Sequence, residues 1–231
     1  MSRLVNKIAI VTGSSSGIGR AIALKFSREG AVVICADIRE TARTEILTET
    51  EIATHDLITQ NGGTAEYLRV DASKPEDVER LVAHTALKYG RLDIMINNAG
   101  VSEVWDKDIA LNSTGMIKQD PLPCGDRGWI ANIVSVFGLT GAASIAGYVA
   151  CRDGSYEGCS VGLCASSHPH TDTAFISGMN GEMRGFVQQL HPFRGLGKPE
   201  DVANAAIFLA SEENTWVTGI GLPVDGGYTS L

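Results

Sequence analysis

A glycine-rich segment at residues 12–19 most constrains what this chain can fold into. It follows a short apolar run at 8–11 and opens a predicted helix. In such a strand–loop–helix unit, Gly13 permits a tight turn, Gly17 lets the backbone approach a phosphate, and Gly19 lets the helix pack close to the sheet. The N–H groups at the start of the helix then become donors for phosphate oxygens. The segment therefore predicts a loop that binds a dinucleotide.

Short apolar runs alternate with amphipathic stretches along the chain. Their length and β-branched content predict buried strands of a parallel sheet that is covered on both faces. The runs are 8–11, 32–36, 67–70, 92–96 and 130–134. Two helices are predicted to begin at Pro75 and Pro199, each with acidic residues in its first turn. The expected fold is α/β, a doubly wound parallel sheet of the Rossmann type, in a single domain over residues 1–231.

Composition and charge argue against several classes of partner. With 231 residues, 44% of them hydrophobic and 20% charged, the chain has the composition of an ordinary globular protein. Its net charge of −8 argues against nucleic acid and against an anionic membrane surface. No apolar run approaches the roughly 20 residues that a membrane span needs. The N-terminus leads directly into the first strand, which predicts no signal peptide and a cytoplasmic location.

The cysteines do not indicate a disulfide framework, because five is an odd number. Cys151, Cys159 and Cys164 are followed closely by His168 and His170, which makes a zinc site conceivable. The paired Cys-x-x-Cys spacing of such a site is missing. Reduced cysteines in a cytosolic enzyme are the favoured interpretation, and no metal is predicted.

Several motifs together resemble the short-chain dehydrogenase/reductase family, and the resemblance runs nearly end to end. They are residues 12–19, Asn97-Asn98-Ala99-Gly100, Ser135 with Tyr148, and the tail segments 195–203 and 223–228. The separation of 13 residues between Ser135 and Tyr148 matches the family pattern. The resemblance implies a nucleotide-binding fold, an oxidoreductase activity and a homo-oligomer.

The glycine loop and this resemblance predict the cofactor-binding residues. Asp37 ends the second strand, where a carboxylate can accept both ribose hydroxyls of the adenosine half and repels a 2′-phosphate, so the predicted cofactor is NAD(H). Arg39 is a nearby cation that would favour NADP instead. The resemblance implies that Asp71 contacts the adenine and that Thr173 binds the nicotinamide carboxamide. The whole predicted set is Gly13, Ser15, Ser16, Gly17, Ile18, Gly19, Asp37, Asp71, Asn98, Ala99, Gly100 and Thr173.

The resemblance also implies a catalytic set. Tyr148 is the acid or base, Ser135 holds the substrate oxygen, and Asn112 anchors a water for proton relay. The family's Tyr-x-x-x-Lys places a lysine at position 152, and this chain has Arg152 there. A cation at that position lowers the pKa of a phenol from its ordinary value of about 10. A guanidinium keeps the charge but, with a pKa above about 12, does not pass a proton along.

Two functions fit these residues. The first is an NAD(H)-dependent oxidoreductase that interconverts a secondary alcohol and a ketone. The second is a protein of the same fold with non-redox chemistry, such as an isomerase or cyclase, or a catalytically impaired nucleotide-binding protein. Three departures from the family pattern support the second function. They are Arg152, the loss of the family's Pro-Gly pair near Thr173, and the altered sequences of the segments 112–124 and 151–167.

Those two altered segments also bear on assembly. Prolines interrupt 112–124, and glycines that each cost about 1 kcal/mol inside a helix recur in 151–167, so both segments are predicted to be rich in loops. A stripe of closely packed small residues is the alternative interpretation of the glycines. In the family, the helices of these segments build one subunit interface, and the last helix and strand build another. We expect a homodimer through the C-terminal elements, or a homotetramer with a reorganised second interface.

Residues 174–196 are predicted to form a mobile lid over the substrate. The apolar side chains of this segment indicate an apolar carbonyl or alcohol as the small-molecule substrate. They are Phe175, Ile176, Met179, Met183, Phe186 and Leu190. A helix that simply packs on the core is the alternative.

Overall fold

The computed structural model describes most of the chain. The described ranges are 2–42, 52–99, 119–120, 122, 127–133, 171, 180–217 and 220–230. Within them, numbered in chain order, the elements are β1 (Ile8–Thr12), α1 (Gly17–Arg28), β2 (Val32–Asp37), α2 (Thr54–Gln60), β3 (Thr64–Arg69), α3 (Pro75–Tyr89), β4 (Ile94–Asn97), β5 (Trp129–Asn132), α4 (Gly181–Gln189), α5 (Pro199–Ala210) and a 3-10 helix, Tyr228–Ser230.

The five strands form one parallel sheet in the order β3-β2-β1-β4-β5. Ile10 in β1 lies opposite Ile34 in β2 and Met95 in β4. The strand order therefore runs outwards from β1, through β2 to β3 on one side and through β4 to β5 on the other. In sheets of this kind, a crevice opens between β1 and β4 at their carboxyl ends, and ligands bind there.

All five predicted strands are present. β1 and β4 are buried at every position, which agrees with their continuous apolar sequences. β3 begins at Thr64, three residues before the predicted start, and it ends at Arg69. It lies at the edge of the sheet and is only half buried, so polar residues interrupt the apolar pattern from which its bounds were predicted.

Helices cover both faces of the sheet, as the doubly wound α/β prediction requires. On one face, α1, α2 and α5 bury Phe26, Ile58 and Ile207 in a shared core. On the other face, α3 buries Leu81 and Val82 against the strands. α3 and α5 begin at Pro75 and Pro199, as predicted. No helix in the described ranges is long and apolar enough to cross a membrane.

Candidate functional site

The glycine loop joins the end of β1 to the start of α1 in very little space. Gly13 has φ +65°, a left-handed conformation that glycine adopts without strain. A β-carbon on Gly19 would come within 2.1 Å of the Gly13 carbonyl oxygen and within 2.5 Å of Asn98 Nδ2. The helix can therefore approach the sheet this closely only with glycine at position 19. Gly17 also has a positive φ, of +57°.

The first turn of α1 is suited to an anion. Ser16 is the residue preceding the helix, and its side chain makes no capping hydrogen bond. The first turn carries no acidic residue, whereas α3 and α5 each begin with two. Because the positive end of the helix dipole is not neutralised by carboxylates, it can attract a phosphate. The Ile18 side chain is buried in the core, so this residue can contact a ligand only through its backbone.

Thr12 ties the end of β1 to the end of β4, and sequence reasoning missed it. Its hydroxyl accepts hydrogen bonds from the N–H groups of Asn98 and Ala99, both at 3.0 Å, and donates to the Ile96 carbonyl at 3.1 Å. These three bonds use the whole hydrogen-bonding capacity of a hydroxyl. Asn98 Nδ2 in turn donates to the Thr12 carbonyl at 2.9 Å and to that of Gly13 at 3.3 Å. The sequence feature that indicates this role is a hydroxyl residue, Thr12, at the end of an apolar strand.

A second polar pair joins the ends of β4 and β5. Asn97 Nδ2 donates to Asn132 Oδ1 at 2.8 Å, and both side chains are buried. The two residues are partners in the strand register. Their bond therefore fixes the strand end from which the chain continues to Ser135.

Asp37 lies at the carboxyl end of β2 with its carboxylate held from two sides. Oδ2 accepts from the Ser15 N–H at 3.1 Å, and Oδ1 accepts from the Arg39 N–H at 3.2 Å. An ionised carboxylate has about four acceptor positions, and these bonds use two of them. Tyr67 Oη donates to the Asp37 carbonyl at 3.0 Å. Burial, together with the charges of Asp37 and Glu40, raises the pKa of Tyr67, which keeps the phenol a donor.

Asp71 follows β3, on the same side of the sheet as Asp37, where the carboxyl ends of the strands lie. Its Oδ1 accepts from the Ser73 hydroxyl at 2.6 Å and from the Ser73 N–H at 3.1 Å. These two bonds hold the pKa of Asp71 below its ordinary value. The N–H of Val70 donates to the Asp37 carbonyl at 3.0 Å, which places the Asp71 turn beside the end of β2.

The carboxyl ends of the strands thus bring together most of the predicted cofactor residues. They are Gly13, Ser15, Ser16, Gly17, Ile18, Gly19, Asp37, Asp71, Asn98 and Ala99. The remaining predicted site residues lie outside the described residues: Gly100, Asn112, Ser135, Tyr148, Arg152 and Thr173. The same holds for most of 112–124, for all of 151–167 with its cysteines, and for 174–179 of the predicted lid. Thr171, two residues before Thr173, is buried and forms a parallel bridge with Gly197.

Two further residues beside the loop were missed, Arg20 and Thr54. Arg20 follows Gly19 directly and is buried. The sequence feature that indicates its role is a cation directly after the glycine loop, among the apolar residues of the predicted helix. Thr54 had no such signal, because its contact with the loop joins residues 40 positions apart.

Comparison with known proteins agrees with this geometry. The family model described as short chain dehydrogenase matches residues 7–157, and one described as enoyl-(acyl carrier protein) reductase matches residues 157–229. Cyclohexanol dehydrogenase from Acinetobacter sp. (strain SE19) is 31% identical over 251 residues, covering 97% of this chain and 96% of the relative. Cis-4-hydroxycyclohexanecarboxylate dehydrogenase from Sinomonas cyclohexanicum is 29% identical, covering 97% of each.

A solved structure is similar at the level of the whole fold. It is a 7α-hydroxysteroid dehydrogenase complexed with NADH and 7-oxo glycochenodeoxycholic acid, with a TM-score of 0.78 and 28% identity. The match covers 97% of this chain and 95% of that one. This chain belongs to the short-chain dehydrogenase/reductase family, a family of oxidoreductases. The predicted family, fold class and enzyme class are thereby confirmed.

Replacing Gly19 tests how tightly the loop is packed. Gly19→Ala should lower the free energy of unfolding by roughly 1–3 kcal/mol, because the new β-carbon meets a backbone oxygen that cannot move aside. Gly185→Ala is the matched control, since Gly185 lies inside α4 with nothing within 4 Å of an added β-carbon. It should raise the free energy of unfolding by up to about 1 kcal/mol. Urea denaturation measures the free energy of unfolding of both variants. Equal changes in the two variants would contradict the close packing at Gly19.

Proposed function

We propose that this protein is an NAD(H)-dependent oxidoreductase that interconverts a secondary alcohol and a ketone. The observation that carries the proposal is the Asp37 carboxylate, held at the end of β2 by the N–H groups of Ser15 and Arg39. Family membership supports the reaction class. The non-redox alternative receives no support from the relatives reported above, which are all named as dehydrogenases.

The described residues fit a dinucleotide. The glycines at 13 and 19 let the loop and the start of α1 lie against Asn98 and the end of β1, and Gly17 would let the backbone approach a pyrophosphate. The first turn of α1 carries no acidic residue, and its N–H groups would donate to the pyrophosphate oxygens. The Ser16 hydroxyl, which makes no capping hydrogen bond, would be a further donor. Asp37 would accept the ribose hydroxyls, with Asp71 on the adenine side. When bound, the nicotinamide supplies the hydride donor or acceptor of the reaction.

The charge at position 37 favours NAD(H) over NADP(H). A 2′-phosphate would stand against the Asp37 carboxylate, and like charges in a partly buried site repel. Arg39 is the nearby cation that would favour NADP(H) instead. Its backbone N–H donates to Asp37, while the residue itself is exposed.

In the proposed chemistry, Tyr148 takes the hydroxyl proton of the alcohol during oxidation and returns it to the carbonyl oxygen during reduction. Ser135 holds that oxygen, and Asn112 anchors the water through which the proton reaches solvent. Arg152 stabilises the ionised phenol by its charge. Because a guanidinium does not exchange protons near neutral pH, the proton would travel through water and not through Arg152.

An apolar substrate is supported by α4, within the proposed lid 174–196. Met183 and Phe186, three residues apart on one face of the helix, are 51% and 59% exposed. Val187 is buried and anchors the helix. An exposed apolar pair within the proposed lid suits an apolar carbonyl or alcohol. Two of the relatives are named for cyclohexane compounds and one for a steroid, all of them carbon rings.

We also propose a cytoplasmic homodimer through α5 and the segment that follows it. The described part of this region exposes three apolar side chains: Phe208 at 39%, Trp216 at 94% and Ile220 at 40%. Burying them against a second copy would remove this apolar surface from water.

Cofactor choice tests the proposal directly. The unmodified protein should bind NADH more tightly than NADPH in calorimetry. Asp37→Ala should narrow that difference by roughly tenfold or more, because it removes hydrogen bonds to a charged acceptor and relieves the repulsion of a 2′-phosphate. Asp56→Ala, which removes an exposed carboxylate on α2, is the control and should leave the ratio unchanged. Tighter binding of NADPH to the unmodified protein would overturn the assignment.

The catalytic roles are tested by loss of the phenol. Tyr148→Phe should lower turnover at least 100-fold, because it removes the general acid and base. Arg152→Lys should retain or raise turnover, since it keeps the charge and restores a group that can relay protons. NADH absorbance reports both across a panel of ketones and alcohols, with NADH affinity as the control for folding. Unchanged turnover in Tyr148→Phe would refute the mechanism. Absence of any reaction in all forms would favour the non-redox alternative.

Light scattering tests the assembly. The unmodified protein should have twice the chain mass of 24.5 kDa. Trp216→Glu should shift it towards the monomer, because a charge placed in an apolar interface is not solvated there. Leu87→Glu, at an equally exposed apolar position on α3 (90%), is the control and should leave the mass unchanged. A monomeric unmodified protein would contradict the proposal.

A further inference from the structure

Arg20 is a buried cation in the first turn of α1. It is only 7% exposed, and its Nη1 donates to Thr54 Oγ1 at 2.9 Å. Among the described residues, its hydrogen-bond partner is thus a neutral hydroxyl, itself 1% exposed, and not a carboxylate. Burying a charge without an opposite charge in contact is costly. The position of Arg20 therefore needs an explanation beyond packing.

Thr54, the first residue of α2, extends this contact to the glycine loop. Its hydroxyl accepts from Arg20 and donates to the Ser14 carbonyl at 2.7 Å. A hydroxyl that accepts from a cation is polarised and becomes a stronger donor. Arg20 and Thr54 together therefore fix the direction of the Ser14 carbonyl.

The peptide group between Ser14 and Ser15 is held at both ends. Its C=O accepts from Thr54, and its N–H donates to Asp37 Oδ2 at 3.1 Å. Because a peptide group is planar and trans, fixing the C=O fixes the direction of the N–H. A series of hydrogen bonds thus runs from the Arg20 cation through the Thr54 hydroxyl and the Ser14–Ser15 peptide to the Asp37 anion. Each group in the series donates to the next.

A further hydrogen bond and the electrostatics of Cys35 agree with this connection. Ser15 Oγ donates to the Arg39 carbonyl at 2.5 Å, with the Glu40 carbonyl 3.3 Å away, which closes the turn after Asp37 onto the loop. Burial raises the pKa of the Cys35 thiol to about 12, while the Arg20 charge acts to lower it and the Asp37 charge to raise it. Both charges therefore reach the same buried group, in a region where electrostatic interactions are strong.

We propose that Arg20 and Thr54 are positioning residues for Asp37: they orient the Ser14–Ser15 peptide, which orients the carboxylate towards the adenosine ribose and so sets the preference for NADH over NADPH. This inference rests on the proposed function. It assigns part of the cofactor selectivity to two side chains that lie behind the loop and need not touch the cofactor.

The test is the ratio of NADH affinity to NADPH affinity, measured by calorimetry. Thr54→Val keeps the shape of the side chain and removes the hydroxyl, so the ratio should fall about tenfold, and Thr54→Ser should restore it. Thr59→Val is the matched control on the same helix. Thr59 is exposed and its hydroxyl donates to the His55 carbonyl within α2, so its loss should leave the ratio unchanged. Equal losses of both affinities in Thr54→Val would indicate a merely structural role and overturn the inference.

Arg20→Gln and Arg20→Lys extend the test if Thr54→Val does not fold. Loss of the charge in Arg20→Gln should lower the ratio, and Arg20→Lys should retain more of it. Without cofactor, hydrogen exchange in the peptide containing Ser15 should be faster in Thr54→Val and Arg20→Gln than in the unmodified protein. A normal ratio and unchanged exchange in these variants would refute the positioning role. An unmodified protein that binds neither nucleotide, or prefers NADPH, would instead refute the proposed function.

Discussion

The close approach of α1 to the end of β1 is the constraint on which the site depends. The β-carbon of any other residue at position 19 would lie 2.1 Å from the Gly13 carbonyl oxygen. This contact sets where the first turn of α1 lies relative to the sheet edge. It places Ser16 at the helix start and Arg20 behind the loop. The same crowding involves Asn98, so the ends of β1 and β4 are positioned together with the helix.

Charge is distributed unevenly around that contact. The acid-free start of α1 leaves the helix dipole available to an anion, and Arg20 adds a positive charge behind the loop. The carboxylates of Asp37 and Asp71 stand at the ends of β2 and β3 instead, held by backbone or hydroxyl donors. One side of the site therefore suits phosphates, and the other suits ribose hydroxyls and a base.

Local patterns were enough to predict the framework. The apolar runs placed the strands, and proline followed by acidic residues placed the starts of α3 and α5. The start of β3 was misplaced because an edge strand is only half buried, so its sequence need not be continuously apolar. Glycine spacing and the place of Asp37 predicted the loop and its carboxylate, since a tight turn and a strand end are local features.

By itself, the sequence determined the fold class and the family, and it predicted which residues form a cofactor site, because periodicity and motif spacing act over a few residues. Only the tertiary structure decided how those residues are held. The Thr12 hydroxyl reaches residues 84 to 87 positions away, and Thr54 reaches Ser14 across 40 positions. Such bonds depend on which strands and helices become neighbours. The physical reason is that a buried donor or acceptor takes whatever partner the packing brings within about 3 Å, and no local pattern specifies that partner.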